Sequence, residues 1–75
     1  MAIAIYTTNN CPYCRMAKDY FRTKGVAFTE YNVETDPRRA NEMVRKSGQT
    51  GVPVIDINGK IIVGFNRSEI DRALS

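Results

Sequence analysis

The spacing of the hydrophobic positions changes along the chain, and each spacing predicts a different element. Ala2 to Thr7 alternates isoleucine with smaller residues, which is typical of a buried strand. From Tyr13 onward the apolar residues recur at helical spacing, which predicts a helix that ends before Gly25. The residues that these patterns and the next strand predict to be in the core are Tyr6, Met16, Tyr20, Phe21, Phe28 and Met43.

The middle of the chain predicts a second strand and a second helix. Val26 to Val33 is rich in β-forming residues and places Phe28 and Tyr31 on opposite faces, so we expect both faces to be covered. Asp36 followed by a proline is typical of a helix start, with the aspartate as N-cap. The apolar residues that follow keep helical spacing until Gly48, which closes the helix.

The last third predicts a hairpin and a short helix. Two apolar runs, Val54 to Ile57 and Lys60 to Val63, flank Asn58-Gly59, the dipeptide most typical of a type I′ hairpin turn. Asn66 with Glu69 three residues later resembles a capping box, which predicts a final helix.

The element order β-α-β-α-β-β-α predicts an α/β fold. A right-handed β-α-β crossover makes the first two strands parallel, and the hairpin adds an antiparallel pair. We therefore expect a four-stranded mixed sheet with helices on both faces. A binding site would lie at the carboxyl end of the first strand, where open α/β sheets usually bind ligands.

Composition and charge narrow the function classes. The net charge is +3, but the basic residues are dispersed, and no run is longer than Arg38-Arg39. This pattern indicates a solvated surface and gives no support for nucleic-acid binding. No apolar run is long enough to cross a membrane, and Met1 to Ile5 lacks the basic segment of an export signal. We therefore expect a cytoplasmic protein.

The segment Cys11-Pro12-Tyr13-Cys14 carries the chemistry. A disulfide across three residues closes a tiny loop and stabilises little, so the pair is better suited to thiol–disulfide exchange than to a structural bridge. Pro12 suits the first position of a helix, which makes Cys11 the N-cap. The helix dipole and the free N–H groups of the first turn then favour a Cys11 thiolate, and Arg15 adds positive charge nearby. We expect Cys11 to attack and Cys14 to resolve the mixed disulfide.

A metal site is the alternative for the same two cysteines. Zinc needs about four ligands, whereas the chain has two cysteines and no histidine. Only a dimer would complete such a site. We therefore expect no bound metal or cofactor.

Together these features resemble a glutaredoxin of the thioredoxin fold. The features are a strand, the Cys-Pro-Tyr-Cys motif, a helix, Val52-Pro53 before a hairpin, and a glycine-containing turn before the last helix. The chain is similar to the small glutaredoxin-like redoxins, including the NrdH-redoxin group, as one domain over residues 1–75. The resemblance implies a thiol-disulfide oxidoreductase. The alternative is a dimeric carrier of a glutathione-ligated iron–sulfur cluster. Visible absorption after anaerobic purification would reveal such a carrier.

The resemblance also implies a substrate groove. Val52–Pro53 would be a cis peptide bond whose valine backbone pairs with an extended substrate; the other reading is an ordinary edge-strand proline. Tyr13 would border the groove or be a rim aromatic, and Phe65 would be a partner contact or part of the core. The residues assigned to substrate binding are Pro12, Tyr13, Val52, Pro53, Gly64, Phe65 and Asn66.

The same resemblance implies the partners of the protein, although the chain departs from the family pattern at the glutathione-binding residues. We expect a monomer that reduces protein disulfides, with ribonucleotide reductase as a substrate by analogy with the NrdH group. Glutathione-using members carry a basic residue where this chain has Thr8, a threonine where it has Gly51, and an acid near Arg67. Those charge partners of glutathione are absent, so we expect weak glutathione use. Thioredoxin reductase and glutathione both remain as reductants.

Overall fold

Seven elements follow one another in the predicted order. The structure, a computed structural model, describes residues 2–75, so Met1, part of the predicted domain, lies outside it. The elements are β1 (Ile3–Thr7), α1 (Pro12–Thr23), β2 (Thr29–Asn32), α2 (Pro37–Ser47), β3 (Val54–Ile57), β4 (Lys60–Val63) and α3 (Arg67–Leu74).

The four strands form one mixed sheet in the order β2-β1-β3-β4. β1 runs parallel to β2, with Ile5 opposite Glu30, and antiparallel to β3, with Ile5 opposite Ile55. β3 and β4 pair as the antiparallel hairpin. The predicted α/β fold is confirmed, and β2 and β4 are the two edges of the sheet.

Helices cover both faces of this sheet because the strands alternate their apolar side chains. One face packs against α1 and α3 and contains Ile3, Ile5, Ala17, Phe21, Ile55, Ile57, Ile62 and Ile70. The other face packs against α2 and centres on Tyr6, Met43 and Val54. Phe28 packs on the first face and Tyr31 on the second, although β2 is shorter than the predicted strand and Phe28 lies just before it.

The predicted helix starts and turns are present. The Asp36 carboxylate accepts hydrogen bonds from the N–H groups of Arg38 and Arg39 at 3.1 and 3.3 Å, so it caps α2. Gly48 ends α2 in the left-handed region, with φ 73°. In the hairpin, Asn58 and its following glycine have φ 51° and 93°, as a type I′ turn requires.

The predicted capping box of α3 forms only in part. The Asn66 side chain accepts a hydrogen bond from the Glu69 N–H at 3.2 Å, which makes Asn66 the N-cap. The Glu69 carboxylate does not return to the cap residue; it pairs with Arg72 at 2.8 Å and with Lys60 at 3.8 Å. Two cations within reach of this carboxylate favour the ion pairs over a bond to the cap N–H.

The prediction that Met16 is a core residue is wrong. The buried residues of α1 are Cys14, Ala17 and Phe21, and this i, i+3, i+7 series defines the face that packs on the sheet. Met16 lies beside that face and remains 48% exposed. Tyr20 and Phe28 are only partly buried at the margin of the same core.

Within residues 2–75, no helix is both long and apolar enough to cross a bilayer.

Candidate functional site

Three predicted segments meet at the carboxyl end of β1. A loop of three residues joins β1 to the Cys-Pro-Tyr-Cys motif. Because β3 is antiparallel to β1, with Tyr6 opposite Val54, Val52 and Pro53 lie at the same end of the sheet. Val54 also pairs with Val63, which brings the Gly64 turn to this end. The topology therefore joins residues that are about 50 positions apart in the sequence.

Cys11 is the N-cap of α1, as the sequence predicted. Its backbone is extended, with φ −137° and ψ 99°, and its Sγ atom accepts a hydrogen bond from the Cys14 N–H at 3.2 Å. Pro12 occupies the first position of the helix. An N–H of the first turn thus points at the sulfur, and the positive end of the helix dipole lies beside it.

The two cysteines form a disulfide, with their Cα atoms 5.2 Å apart. Cys11 is 8% exposed and Cys14 only 1% exposed. Cys11 is therefore the more exposed residue of the pair. Tyr13, between them, projects into solvent with 62% of its surface exposed, so it borders the pair without covering it.

The loop that leads into the motif is held by residues the sequence did not single out. Asn9 accepts a hydrogen bond from the side-chain amide of Asn32, at the end of β2. The Asn9 N–H donates to the Glu34 carboxylate at 3.0 Å. These bonds link the motif loop to the loop after β2 and hold the cap residue in place. Polar residues are common in loops, and no local signal distinguished Asn9, Asn32 and Glu34 from the others.

Val52–Pro53 is a cis peptide bond, as expected. The Pro53 carbonyl accepts a hydrogen bond from the Gly64 N–H at 2.8 Å, which joins two segments predicted to line the groove. Among the hydrogen bonds formed within residues 2–75, none uses the N–H or C=O of Val52. Both backbone groups of Val52 are therefore unpaired within the described chain.

Gln49 is a further residue that the sequence analysis missed. Its side chain accepts a hydrogen bond from the Gly51 N–H at 2.5 Å and donates to the Gly51 carbonyl at 3.1 Å. The Ser47 hydroxyl in turn donates to the Gln49 carbonyl at 3.0 Å. A Cβ at Gly51 would lie 2.8 Å from the Gln49 Oε1, so the glycine permits this approach. These bonds order the loop before Val52. They also engage the N–H and C=O of Gly51, the residue that precedes Val52.

The turn after β4 is less open than the sequence suggested. Phe65 is half-buried against the α1 and α3 core, and its ring meets Tyr20 edge to face at 5.7 Å. The Asn66 side chain is engaged as the cap of α3. The Phe65 ring is therefore only partly exposed, and the Asn66 side chain is already engaged.

A polar cluster supports α1 behind the motif. The buried Thr7 hydroxyl donates to the Glu30 carboxylate at 2.7 Å, and Lys18, one turn after Cys14, donates to the same oxygen at 2.9 Å. The Thr7 hydrogen bond and the Lys18 charge hold the pKa of Glu30 below its ordinary value, against an opposing effect of burial. The cluster anchors the first turns of α1 to β1 and β2.

Metal-ligating side chains do not converge elsewhere in the described chain. Within residues 2–75 no three side chains of histidine, cysteine, aspartate or glutamate lie close enough to hold one ion.

Known proteins share this sequence and architecture. The family model "Glutaredoxin" matches residues 3–62. An uncharacterized glutaredoxin-like 8.6 kDa protein in the rubredoxin operon of Clostridium pasteurianum is 47% identical over 72 residues, which cover 96% of each chain. Glutaredoxin 3 of Escherichia coli K12 is 40% identical over 62 residues, covering 83% of this chain and 75% of the relative.

A solved structure agrees with these sequence matches. NrdH-redoxin from Escherichia coli, a glutaredoxin-like protein, aligns with a TM-score of 0.86 at 32% identity, over 96% of this chain and 93% of that one. The family match includes both cysteines and Val52-Pro53 and ends before the Gly64 turn. The chain belongs to the glutaredoxin family and is a thiol-disulfide oxidoreductase of the thioredoxin fold.

Proposed function

We propose that the protein reduces disulfide bonds of other proteins, with Cys11 as the attacking thiol and Cys14 as the resolving thiol. The observation that carries this assignment is the hydrogen bond from the Cys14 N–H to the Cys11 sulfur at the helix cap. This donor and the helix dipole favour a thiolate at Cys11, and helix-capping thiols in such motifs have a depressed pKa. The greater exposure of Cys11 supports the same order of events.

The reaction conserves electrons and protons in two exchange steps. The Cys11 thiolate attacks one sulfur of the partner's disulfide, forms a mixed disulfide and releases the other partner sulfur as a thiolate that takes up a proton. Cys14 loses its proton, and its thiolate attacks the Cys11 sulfur. The intramolecular disulfide forms, and the second partner thiol leaves. Two electrons pass to the partner, and an external reductant restores them.

The substrate strand would dock on the backbone of Val52. Its N–H and C=O have no partner among the hydrogen bonds formed within residues 2–75, and an extended chain pairs with such groups by strand addition. Pro53 and the Gly64 turn are linked by a hydrogen bond, so they would form one wall of the groove, with Tyr13 on the opposite rim. Pro12 sets the start of α1, and Phe65 and Asn66 support the wall.

The reductant we propose is a flavoprotein thioredoxin reductase, with weak use of glutathione. The chain lacks the basic residue, the threonine and the acid that other members use to hold glutathione. It carries Arg67 near the position expected for the acid. A related solved protein, NrdH-redoxin, is described as having a thioredoxin-like activity profile. From the same similarity to NrdH-redoxin we propose that the protein is a cytoplasmic monomer with no bound cofactor. Ribonucleotide reductase is among its proposed substrates.

Serine variants test the roles of the two thiols. Cys11→Ser removes the nucleophile and is expected to abolish disulfide reduction. Cys14→Ser leaves the first step intact, so it is expected to accumulate mixed disulfides with partner proteins. Non-reducing gel electrophoresis and mass spectrometry would detect the adducts, with the double variant as control. Faster alkylation of Cys14 than of Cys11 at neutral pH would reverse the assignment.

Re-reduction of the oxidised protein tests the reductant. Each system, glutathione with its reductase or thioredoxin reductase with NADPH, is supplied alone and NADPH consumption is followed. Faster turnover with thioredoxin reductase is the expected result. Fast turnover with glutathione and none with the flavoprotein would refute this choice of reductant and leave the exchange chemistry intact.

A further inference from the structure

One side of α1 presents an apolar stripe that starts at the redox motif. Tyr13, Met16 and Tyr20 follow at i, i+3 and i+7, so they lie on one side of the helix, next to its buried face. Tyr13 is 62% exposed and Met16 is 48% exposed. The flexible side chain of a methionine adapts well to protein surfaces. We call these three residues the α1 stripe.

The far end of the α1 stripe is rigid and aromatic. The Tyr20 hydroxyl donates to Asp71 of α3, which fixes the ring between the two helices. Phe65 meets that ring edge to face at 5.7 Å. The Arg67 guanidinium lies over the same ring, with its central carbon 4.9 Å from the ring centre. The stripe therefore ends in a preorganised platform that carries a positive charge.

Arg67 forms no direct ion pair with a carboxylate of the described chain. The other cation over Tyr20, Lys24, pairs with Asp71 at 3.8 Å. In contrast, Arg67 takes part in none of the ion pairs within residues 2–75. A guanidinium stacked on an aromatic ring keeps its N–H edge free, and that edge binds a carboxylate with two parallel hydrogen bonds.

We propose that the α1 stripe docks an extended segment of the disulfide-bearing partner protein, with apolar side chains on Tyr13 and Met16 and a carboxylate on Arg67. The inference rests on the proposed function, because it extends the docking site from the redox motif along α1. From Tyr13 to Tyr20 the stripe rises by seven helical steps, or about 10 Å, and an extended chain covers that distance with about three residues. The acidic residue of the partner thus lies a few positions from its reactive cysteine.

The test compares two disulfide-linked peptides that differ only in having aspartate or lysine beyond the apolar residues flanking the cysteine. The parent protein is expected to reduce the aspartate peptide with the higher kcat/KM. Arg67→Gln is expected to reduce this preference about fivefold, the size of one exposed charge pair, and added salt is expected to reduce the preference of the parent protein. Met16→Gln is expected to lower kcat/KM for both peptides relative to a small neutral disulfide.

Matched controls lie on the opposite face of the sheet. Val44 is an exposed apolar residue of α2, and Arg38 of α2 is, like Arg67, absent from the ion pairs within residues 2–75. Val44→Gln and Arg38→Gln are expected to leave the peptide preference and the peptide-to-small-disulfide ratio unchanged. If they change these ratios as much as Met16→Gln and Arg67→Gln do, the proposal is overturned.

A binding measurement separates this proposal from the proposed function. Fluorescence anisotropy of the aspartate peptide with serine in place of cysteine reports docking on the oxidised protein without any exchange. Weaker binding by Arg67→Gln but not by Arg38→Gln supports the stripe even if reduction of every disulfide failed. Equal binding by both variants overturns it, whatever the catalytic result. If Arg67→Gln raises KM equally for glutathione disulfide and for the aspartate peptide, Arg67 binds glutathione and the proposal is also overturned.

Discussion

At the scale of single residues, Tyr6 shows how a buried polar group joins a helix to the sheet. Its side chain is fully buried beneath α2, where its hydroxyl donates to Glu42 at 2.5 Å and accepts from Lys46 at 2.9 Å. Lys46 also reaches Asp56 of β3 at 2.8 Å. Burial is the main cause that raises the pKa of Tyr6 above its ordinary value, so the hydroxyl remains a donor.

Tyr6→Phe is expected to destabilise the protein by about 1 kcal/mol, because it removes two hydrogen bonds of a buried hydroxyl without leaving a cavity. Urea unfolding monitored by circular dichroism measures the change. Tyr13→Phe is the matched control, since that side chain is exposed, and its free energy of unfolding is expected to stay the same. Equal effects of the two substitutions would contradict this role of the Tyr6 hydroxyl.

At the scale of elements, α2 is held by contacts at its first turn as well as by the packing of Met43 on the sheet. Met43 is its only fully buried residue within the described chain. Its first turn is held by the Asp36 cap and by Arg39, whose guanidinium lies 3.8 Å from the centre of the Tyr31 ring. The cap and the cation–π contact add to the packing of this short helix.

Asp36→Ala is expected to cost about 1 kcal/mol, the usual effect of losing a helix N-cap. The helical signal of the native state is expected to persist because α2 remains packed on Tyr6. Asp36→Asn keeps an oxygen acceptor for the N–H groups of Arg38 and Arg39, so it is expected to retain most of the stability. Thermal unfolding of both variants checks the difference, and a large loss in the asparagine variant would argue against capping.

At the scale of the whole molecule, polar bridges join both helical layers to the sheet. Glu30 accepts hydrogen bonds from Thr7 and Lys18 on the α1 face, and Glu42 accepts from Tyr6 and Arg39 on the α2 face. In each case the hydrogen bond from a hydroxyl is the largest cause that lowers the carboxyl pKa. No buried side-chain nitrogen or oxygen in the described chain lacks a hydrogen-bond partner.

These two carboxylates predict a loss of stability in acid. Because their pKa values are lower in the folded state, they stabilise it above the unfolded-state pKa of about 4.3, and this stabilisation disappears as pH falls through the folded-state values. The urea midpoint is therefore expected to drop below about pH 4.5. In the double variant Glu30→Gln, Glu42→Gln the midpoint is expected to change less between pH 6 and pH 3. An unchanged pH dependence would assign acid sensitivity to other groups.

The sequence by itself determined the elements and the reactive motif, because both depend on neighbours within a few residues. Pro12 directs the start of α1 and so makes Cys11 its cap. Asp36 caps α2 through N–H groups two and three residues later, and Asn58-Gly59 closes its hairpin. Hydrophobic spacing then predicted the sheet and the helices on both of its faces, since each period matches one kind of element.

Only the tertiary structure decided which surfaces face the redox motif, because that depends on how distant elements pack. The rotation of α1 on the sheet buries Ala17 and exposes Met16, although both fit the same helical pattern. Half-burial of Phe65 arises from its contact with Tyr20, which lies 45 residues earlier in the chain. Contacts of this kind have no local spacing, so no pattern along the chain predicts them.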